Sequence, residues 1–178
     1  MKPPMATPPL TDIPYADFVA DVSALAAQVA ADDPWRPGFL VAIGRGGLVP
    51  GTYLSHATGL PLLSIDHSTR VPAFAADLLV ELAARTRAGE RLLFVDDIND
   101  SGRTIEGLNA ALARAGAAAD RVRFAVLIDN AGSPARVHYR ARRIDRAVTP
   151  DWFVFPWEAM APAATLTAEA TAHPERSG

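Results

Sequence analysis

Two apolar patterns alternate along the chain. Phe39-Leu40-Val41-Ala42-Ile43, Leu60-Pro61-Leu62-Leu63-Ser64-Ile65, Leu92-Leu93-Phe94-Val95 and Arg121-Val122-Arg123-Phe124-Ala125-Val126-Leu127-Ile128 are short, nearly unbroken apolar runs. Runs of that length are too short for helices and match strands buried on both faces, as in parallel sheets. Between them, apolar residues recur at helical spacing: Phe18, Val22, Leu25 and Val29 within 12–31, Phe74, Leu78, Leu79 and Leu82 within 73–88, and Ile105, Leu108 and Leu112 after a turn. A further helix is expected over 49–58. Such spacing lines one helical stripe with apolar side chains. Strand and helix in alternation predict an α/β domain with a central, mostly parallel sheet flanked by helices.

A chain of 178 residues holds one such domain, which the pattern places at 12–160. Residues 1–11 are proline-rich and read as a flexible arm; residues 161–178 read as a polar, alanine-rich tail. No run of about 18 apolar residues marks a membrane span, and the start lacks the apolar core of a signal peptide. The absence of cysteine excludes disulfides and thiolate chemistry and fits a cytoplasmic protein. A net charge of −3 gives no general attraction for nucleic acid. The basic cluster Arg136, Arg140, Arg142, Arg143 and Arg146 reads as a charged edge strand in preference to a nucleic-acid surface.

Candidate chemistry gathers where the third apolar run ends. Val95-Asp96-Asp97-Ile98-Asn99-Asp100-Ser101-Gly102-Arg103-Thr104 passes from a strand, through paired acids and a glycine turn, into a helix that Ser101 and Thr104 are placed to cap. Unpaired N–H groups and the positive end of the dipole make such a helix start suitable for a phosphate. Asp96 and Asp97 would face the crevice where open α/β sheets bind ligands. There they can accept hydrogen bonds from sugar hydroxyls, or hold a hydrated Mg²⁺ shared with a second phosphate group. A phosphorylated sugar bearing a pyrophosphate meets all these features; an ordinary strand-to-helix turn with an acidic N-cap is the plain alternative.

A second run, Gly44-Arg45-Gly46-Gly47-Leu48-Val49-Pro50-Gly51, also follows a strand. Its glycines allow close backbone approach to an anion, and Arg45 supplies a positive fork, although a close-packed strand-to-helix connection has the same composition. It lacks the third glycine of a dinucleotide loop. Trp152 offers a flat face on which a heterocycle can stack, or simply a core side chain. In the polar segment 66–72, His67 and Arg70 are either anion ligands or parts of a solvated loop.

Three of these segments resemble the type I phosphoribosyltransferases. Residues 95–104 resemble the family's signature for phosphoribosyl pyrophosphate (PRPP). Residues 45–51 resemble its pyrophosphate loop, in the form found in the bacterial xanthine-guanine branch. Trp152-Phe153-Val154-Phe155-Pro156-Trp157-Glu158 resembles the purine-binding hood of that branch. The resemblance covers about 39–158 and implies the type I fold, with a small carboxy-terminal hood over 149–158. It implies a Mg²⁺-dependent transferase of nucleotide salvage that moves a 5-phosphoribosyl group from PRPP to a purine-type base and releases pyrophosphate.

The same resemblance assigns roles. Asp96 and Asp97 would hold the ribose hydroxyls and the metal, and Asp100, Ser101, Gly102, Arg103 and Thr104 would complete the PRPP site. Arg45, Gly46 and, from a short lid, Arg70 would take the pyrophosphate. Asp100, beside the base, and Arg45 would be catalytic. Trp152, Phe153 and Asp129 would line the base site. The resemblance further implies a strained cis peptide near Gly44–Arg45–Gly46 and a homo-dimer or homo-tetramer, with PRPP and a nucleobase as partners and neither nucleic acid nor membrane.

One position departs from the pattern. Where 6-oxopurine enzymes carry a lysine that donates to the purine oxygen, this chain has Asp129, and an ionised carboxylate only accepts. Asn130 or a backbone N–H could substitute, or the base could differ. Same-fold alternatives are a transferase for a non-purine or specialised base and a non-catalytic PRPP-sensing regulator.

Overall fold

The computed structural model describes residues 8–66 and 72–172. In chain order its elements are β1 (Leu10–Asp12), α1 (Tyr15–Ala31), β2 (Phe39–Ile43), α2 (Gly44–Thr58), β3 (Leu62–Ile65), α3 (Pro72–Arg87), β4 (Leu92–Asn99), α4 (Arg103–Arg114), β5 (Val122–Asn130), β6 (Tyr139–Ile144), β7 (Trp152–Val154) and α5 (Ala163–Ala172). Short 3₁₀ turns lie at Ala119–Arg121 and Pro156–Glu158.

Five strands form one sheet in the spatial order β3-β2-β4-β5-β6, every neighbouring pair parallel. Strand residues alternate between two cores. Leu40, Leu93, Val95, Ala125 and Leu127 pack with Phe18, Val22, Leu25 and Val29 of α1 and Leu54 of α2. Val41, Phe94, Phe124 and Val126 pack on the other face with Leu79 and Leu82 of α3 and Ile105, Leu108 and Leu112 of α4. Each such apolar side chain gains about 1.5–3 kcal/mol on burial, so both faces must be covered, and unbroken apolar runs follow.

The strand order positions the site. From β2 the chain moves to β3 on one flank, then returns to β4 on the other, through α2 on one face and α3 on the opposite face. Their divergence opens a crevice at the carboxyl ends of β2 and β4, the switch point where such sheets receive ligands. From β5 to the edge strand β6 the chain returns through residues 131–138 without a helix.

Several boundaries differ from the sequence-based expectation. The arm expected over 1–11 is ordered at its end, where β1 pairs in parallel with β7. Thr11 Oγ1 donates to Asp151 at 2.6 Å, so the hood borrows a strand from the start of the chain. The tail expected over 161–178 contains α5, whose Leu166 and Ala170 are buried against Trp152 and Val154. The helix expected to begin at 49 begins at Gly44 instead. Packing against β4 overrides glycine's poor helix propensity there.

Candidate functional site

The glycine-rich turn and the acidic strand end meet at the switch point. Gly44 has a φ of 53°, a left-handed conformation that glycine takes without strain, and the helix continues directly from it. The next turn lies against β4 so closely that side chains are excluded. A Cβ on Gly46 would stand 2.5 Å from Asp97 Oδ2, and one on Gly47 would stand 2.1 Å from the Val95 carbonyl oxygen. These glycines therefore serve first to bring the start of α2 onto the strand, and Arg45 stands exposed beside them. The cis peptide expected near Gly44–Arg45–Gly46 is absent: every peptide bond of the described residues is trans, and the segment winds straight into the helix.

Asp96 and Asp97 lie inside β4, which runs on to Asn99, and both are half-buried. Asp96 Oδ1 accepts from the Asp97 N–H at 3.0 Å, and Asp97 Oδ1 from the Ile98 N–H at 2.7 Å. These local bonds fix the carboxylates at the strand end. The chain then turns through Ser101 and Gly102 into α4. Gly102 is the N-cap, with a φ of 82°, and no cap hydrogen bond from a side chain is made among the described residues. The capping role expected of Ser101 and Thr104 is thus not taken up. The turn instead packs against the 131–138 return, where a Cβ on Gly102 would sit 3.0 Å from both Ala135 Cβ and Ser133 Oγ. Arg103 and Thr104 are exposed in the first turn.

Asp100 stands apart from the other acids. It is 5% exposed, and both carboxylate oxygens accept from Arg146: Oδ1 from Nε at 2.9 Å, Oδ2 from Nη2 at 2.8 Å. Arg146, expected on a solvated edge, is itself only 6% exposed. Its Nη1 donates to the carbonyls of Thr149 (3.1 Å) and Asp151 (2.5 Å), and its guanidinium lies 5.3 Å from the centre of the Phe153 ring. Arg140, Arg142 and Arg143 lie on the edge strand β6, as expected, while Arg136 lies in the return before it. Arg142 pairs with Asp21 at 2.8 Å, where burial pushes the Asp21 carboxyl up and Arg142 opposes it.

Asp129 is buried and accepts from Asn99 Nδ2 at 2.8 Å and from Arg140 at 3.4 Å. Ser133 Oγ donates to Asn99 Oδ1 at 3.2 Å, and Asn130 Nδ2 donates to the Asp100 carbonyl at 3.0 Å. Asp129 thus organises the strand ends rather than presenting itself to a ligand. A narrow crevice of about 30 Å³ lies between the end of β4 and the hood, lined by Asp97, Ile98, Arg146, Trp152, Phe153, Phe155 and Glu158. Trp152 reaches this crevice but is only 7% exposed, its ring packed under α5. Phe153 is half-buried and more open. Trp157 is structural, stacked on Phe155 at 4.7 Å and edge-on to Phe18 at 5.3 Å. Glu158 accepts from the Phe155 N–H at 2.8 Å and fixes the hood's last turn. Arg70 and His67 lie outside the described residues.

The structure therefore brings Arg45, Gly46, Asp96 and Asp97 together and sets the start of α4 after the same strand. The crevice adds Trp152 and Phe153, whereas Asp129 is turned to internal bonds. Arg146 is the site residue that sequence reasoning missed. Nothing local distinguishes it from its four neighbouring arginines, because its partner lies 46 positions away.

A family model described as the phosphoribosyl transferase domain matches residues 14–162. Solved structures of similar fold include a purine phosphoribosyltransferase from Pyrococcus horikoshii, 22% identical, covering 86% of this chain and 97% of that one with a TM-score of 0.62. A hypothetical protein from Neisseria gonorrhoeae with bound ppGpp is 19% identical, with coverages of 94% and 99% and a TM-score of 0.66. The xanthine-guanine-hypoxanthine phosphoribosyltransferase of Helicobacter pylori is 22% identical, with coverages of 84% and 94% and a TM-score of 0.61. At such identities the likeness to these structures is one of fold. Because the family model spans both glycine turns, the sheet and the hood, the chain belongs to the phosphoribosyl transferase domain family.

Proposed function

We propose that this chain transfers a 5-phosphoribosyl group from PRPP to a purine-type base and releases pyrophosphate, as a cytoplasmic enzyme of nucleotide salvage. The observation that carries the reading is the meeting of the start of α2 with the Asp97 carboxylate at the switch point, followed by a helix start whose N-cap is a glycine. In the reaction a ring nitrogen of the base bonds to ribose C1′. The C1′–O bond to pyrophosphate breaks, its electron pair leaves with the pyrophosphate, and the ring N–H proton passes to solvent.

The protein's part is positioning and electrostatics. First-turn N–H groups of α4 hold the 5′-phosphate. Asp96 and Asp97 accept from the ribose hydroxyls and face the positive charge that grows on the sugar. Exposed Arg45, at the start of α2, takes up charge on the leaving group. No group of three or more acidic or histidine side chains among the described residues forms a metal cage. The Asp97 carboxylate, set against the start of α2, would hold a Mg²⁺ that draws its other ligands from PRPP and water, with Asp96 next to it in the strand. Bound there, the ion would neutralise charge on the pyrophosphate. The aromatic lining at Trp152, Phe153 and Phe155 and the fold shared with purine enzymes support a purine-type acceptor.

The test is incubation with PRPP, Mg²⁺ and a panel of 6-oxo and 6-amino purines and pyrimidines, with pyrophosphate release as readout. Release with at least one purine is expected. Uptake of PRPP without release for any base would replace transfer with a second reading, a PRPP-binding regulator. One observation favours that reading: the Arg146 fork already occupies both oxygens of Asp100, the acid expected at the base.

A further inference from the structure

We propose that Arg146 is a positioning residue for the base side of the site, a latch that fastens the hood to the acid of the phosphate turn. The inference rests on reading the crevice as the place where the base docks. Six of its contacts converge on that role. Two N–H groups form the fork to Asp100, and Nη1 holds the Thr149 and Asp151 carbonyls just before β7. The guanidinium covers the Phe153 ring. Its own backbone N–H donates to Asn130 Oδ1 at 3.3 Å, while Asn130 Nδ2 reaches back to the Asp100 carbonyl. Through its side chain Arg146 ties the end of β4 to the hood, and through its backbone N–H it adds the end of β5.

The geometry requires arginine. A planar guanidinium offers five donors, enough to grip a carboxylate with one edge and two carbonyls with another nitrogen; a lysine ammonium has three donors on one atom and cannot form the fork. A buried ion pair is not needed for stability as such, since apolar replacements often serve as well. Its position between the phosphate turn and the aromatic wall of the crevice is what indicates alignment of the site. The fork adds to the α5 packing and β1 pairing that hold the wall made by Trp152 and Phe153, so Arg146 governs how a base is held more than how PRPP is held.

The test compares Arg146→Lys and Arg146→Gln with the parent chain in three measurements: Mg²⁺-PRPP binding by calorimetry, KM for the base against kcat, and acrylamide quenching of the Trp152 emission, taken as the difference between each chain and its Trp152→Phe copy because Trp35 and Trp157 also emit. Expected are a base KM raised about tenfold or more in R146Q, a smaller rise in R146K, and PRPP affinity within about twofold in both. Trp152, buried in the parent, should become accessible to acrylamide in both variants. If R146Q does not fold, R146K, which keeps the charge and loses the fork, decides the matter. Equal loss of PRPP and base affinity, or unchanged base KM in folded R146K, would overturn the inference. If the parent chain binds no PRPP, the proposed function fails and the quenching arm still judges the latch: unchanged Trp152 accessibility in both variants would refute it.

Discussion

Asp32 at one end of the sheet and the Asp96–Asp97 pair at the other put acids to opposite use. At the amino end, Arg123 stacks 4.4 Å above Trp35 and pairs with Asp32, while the Tyr139 hydroxyl donates to Asp32 at 2.9 Å. Trp35 Nε1 donates to the Asp120 carbonyl at 3.1 Å. The Arg123 and Tyr139 hydrogen bonds hold the Asp32 carboxyl below its usual range. Acid, base and aromatic rings close on one another across elements that are far apart in sequence. At the carboxyl end, Asp96 and Asp97 accept from the N–H of the next residue, and glycine backbone replaces side chains against them. The first arrangement clamps; the second leaves an acidic edge at a crevice. What sets the acid pair apart from Asp32, and from Asp100 with its Arg146 fork, is glycine backbone laid against Asp97 in place of a side chain.

The largest effect expected from breaking this contrast is on stability at Gly47. Alanine there places a Cβ 2.1 Å from a backbone oxygen of β4, which has no rotamer with which to yield. G47A should lose about 3 kcal/mol or more, a fall in Tm of about 6–12 °C for a chain of this size. A Tm within about 2 °C of the parent would show that α2 does not press on β4 as described.

Next in size is the acid pair. The double substitution D96N/D97N keeps the shape and removes the charge, and should weaken Mg²⁺-PRPP binding about 100-fold, or about 2.7 kcal/mol, in calorimetry. Unchanged affinity would move the ligand away from the carboxyl end. Gly46 sharpens the same point against its neighbour. A Cβ there meets a carboxylate rather than backbone, so Asp97 can swing aside. G46A should therefore weaken PRPP binding about tenfold while Tm moves much less than in G47A. The reverse order of the two glycines would show that the turn is only a packing device.

Much of this frame was legible in the sequence, for a physical reason. Parallel strands buried on both faces leave unbroken apolar runs, and one-sided helices leave stripes, so β2, β4, β5, α1 and α4 could be read from local pattern. Elements that depend on a distant partner could not. β1 is three residues between prolines and exists because β7, some 140 positions on, offers an edge. α5 is alanine-rich with a weak stripe, and it is held by Trp152 and Val154. The acids and glycines of the site were legible because their chemistry depends on adjacency along the chain. Arg146 was not, since its importance lies in what the fold sets around it.

The smallest effect sharpens the amino end. His138 Nδ1 accepts the Phe124 N–H at 3.2 Å, so the ring is held neutral on that nitrogen. Burial first, then the charges of Arg136 and Arg123, push its pKa down to about 4. An unfolded histidine titrates near 6.5, so between pH 6.5 and 4 the unfolded chain binds more protons than the folded one. The stability tied to neutral His138 is therefore complete above about pH 6.5 and is lost as pH falls toward 4. Full conversion of that shift would give about 3.4 kcal/mol, but the ring is half-exposed and solvent screening reduces the effect to about 1 kcal/mol. In His138→Asn, whose side-chain oxygen can take the same N–H, the fall in Tm from pH 7 to pH 5 should be about 2–4 °C smaller than in the parent. PRPP affinity at pH 7 should be the same in both, because the ring lies at the far end of the sheet from the acids. Equal acid sensitivity in the two chains would remove His138 from the clamp, and a change in PRPP affinity would mean that the two ends are coupled through β5.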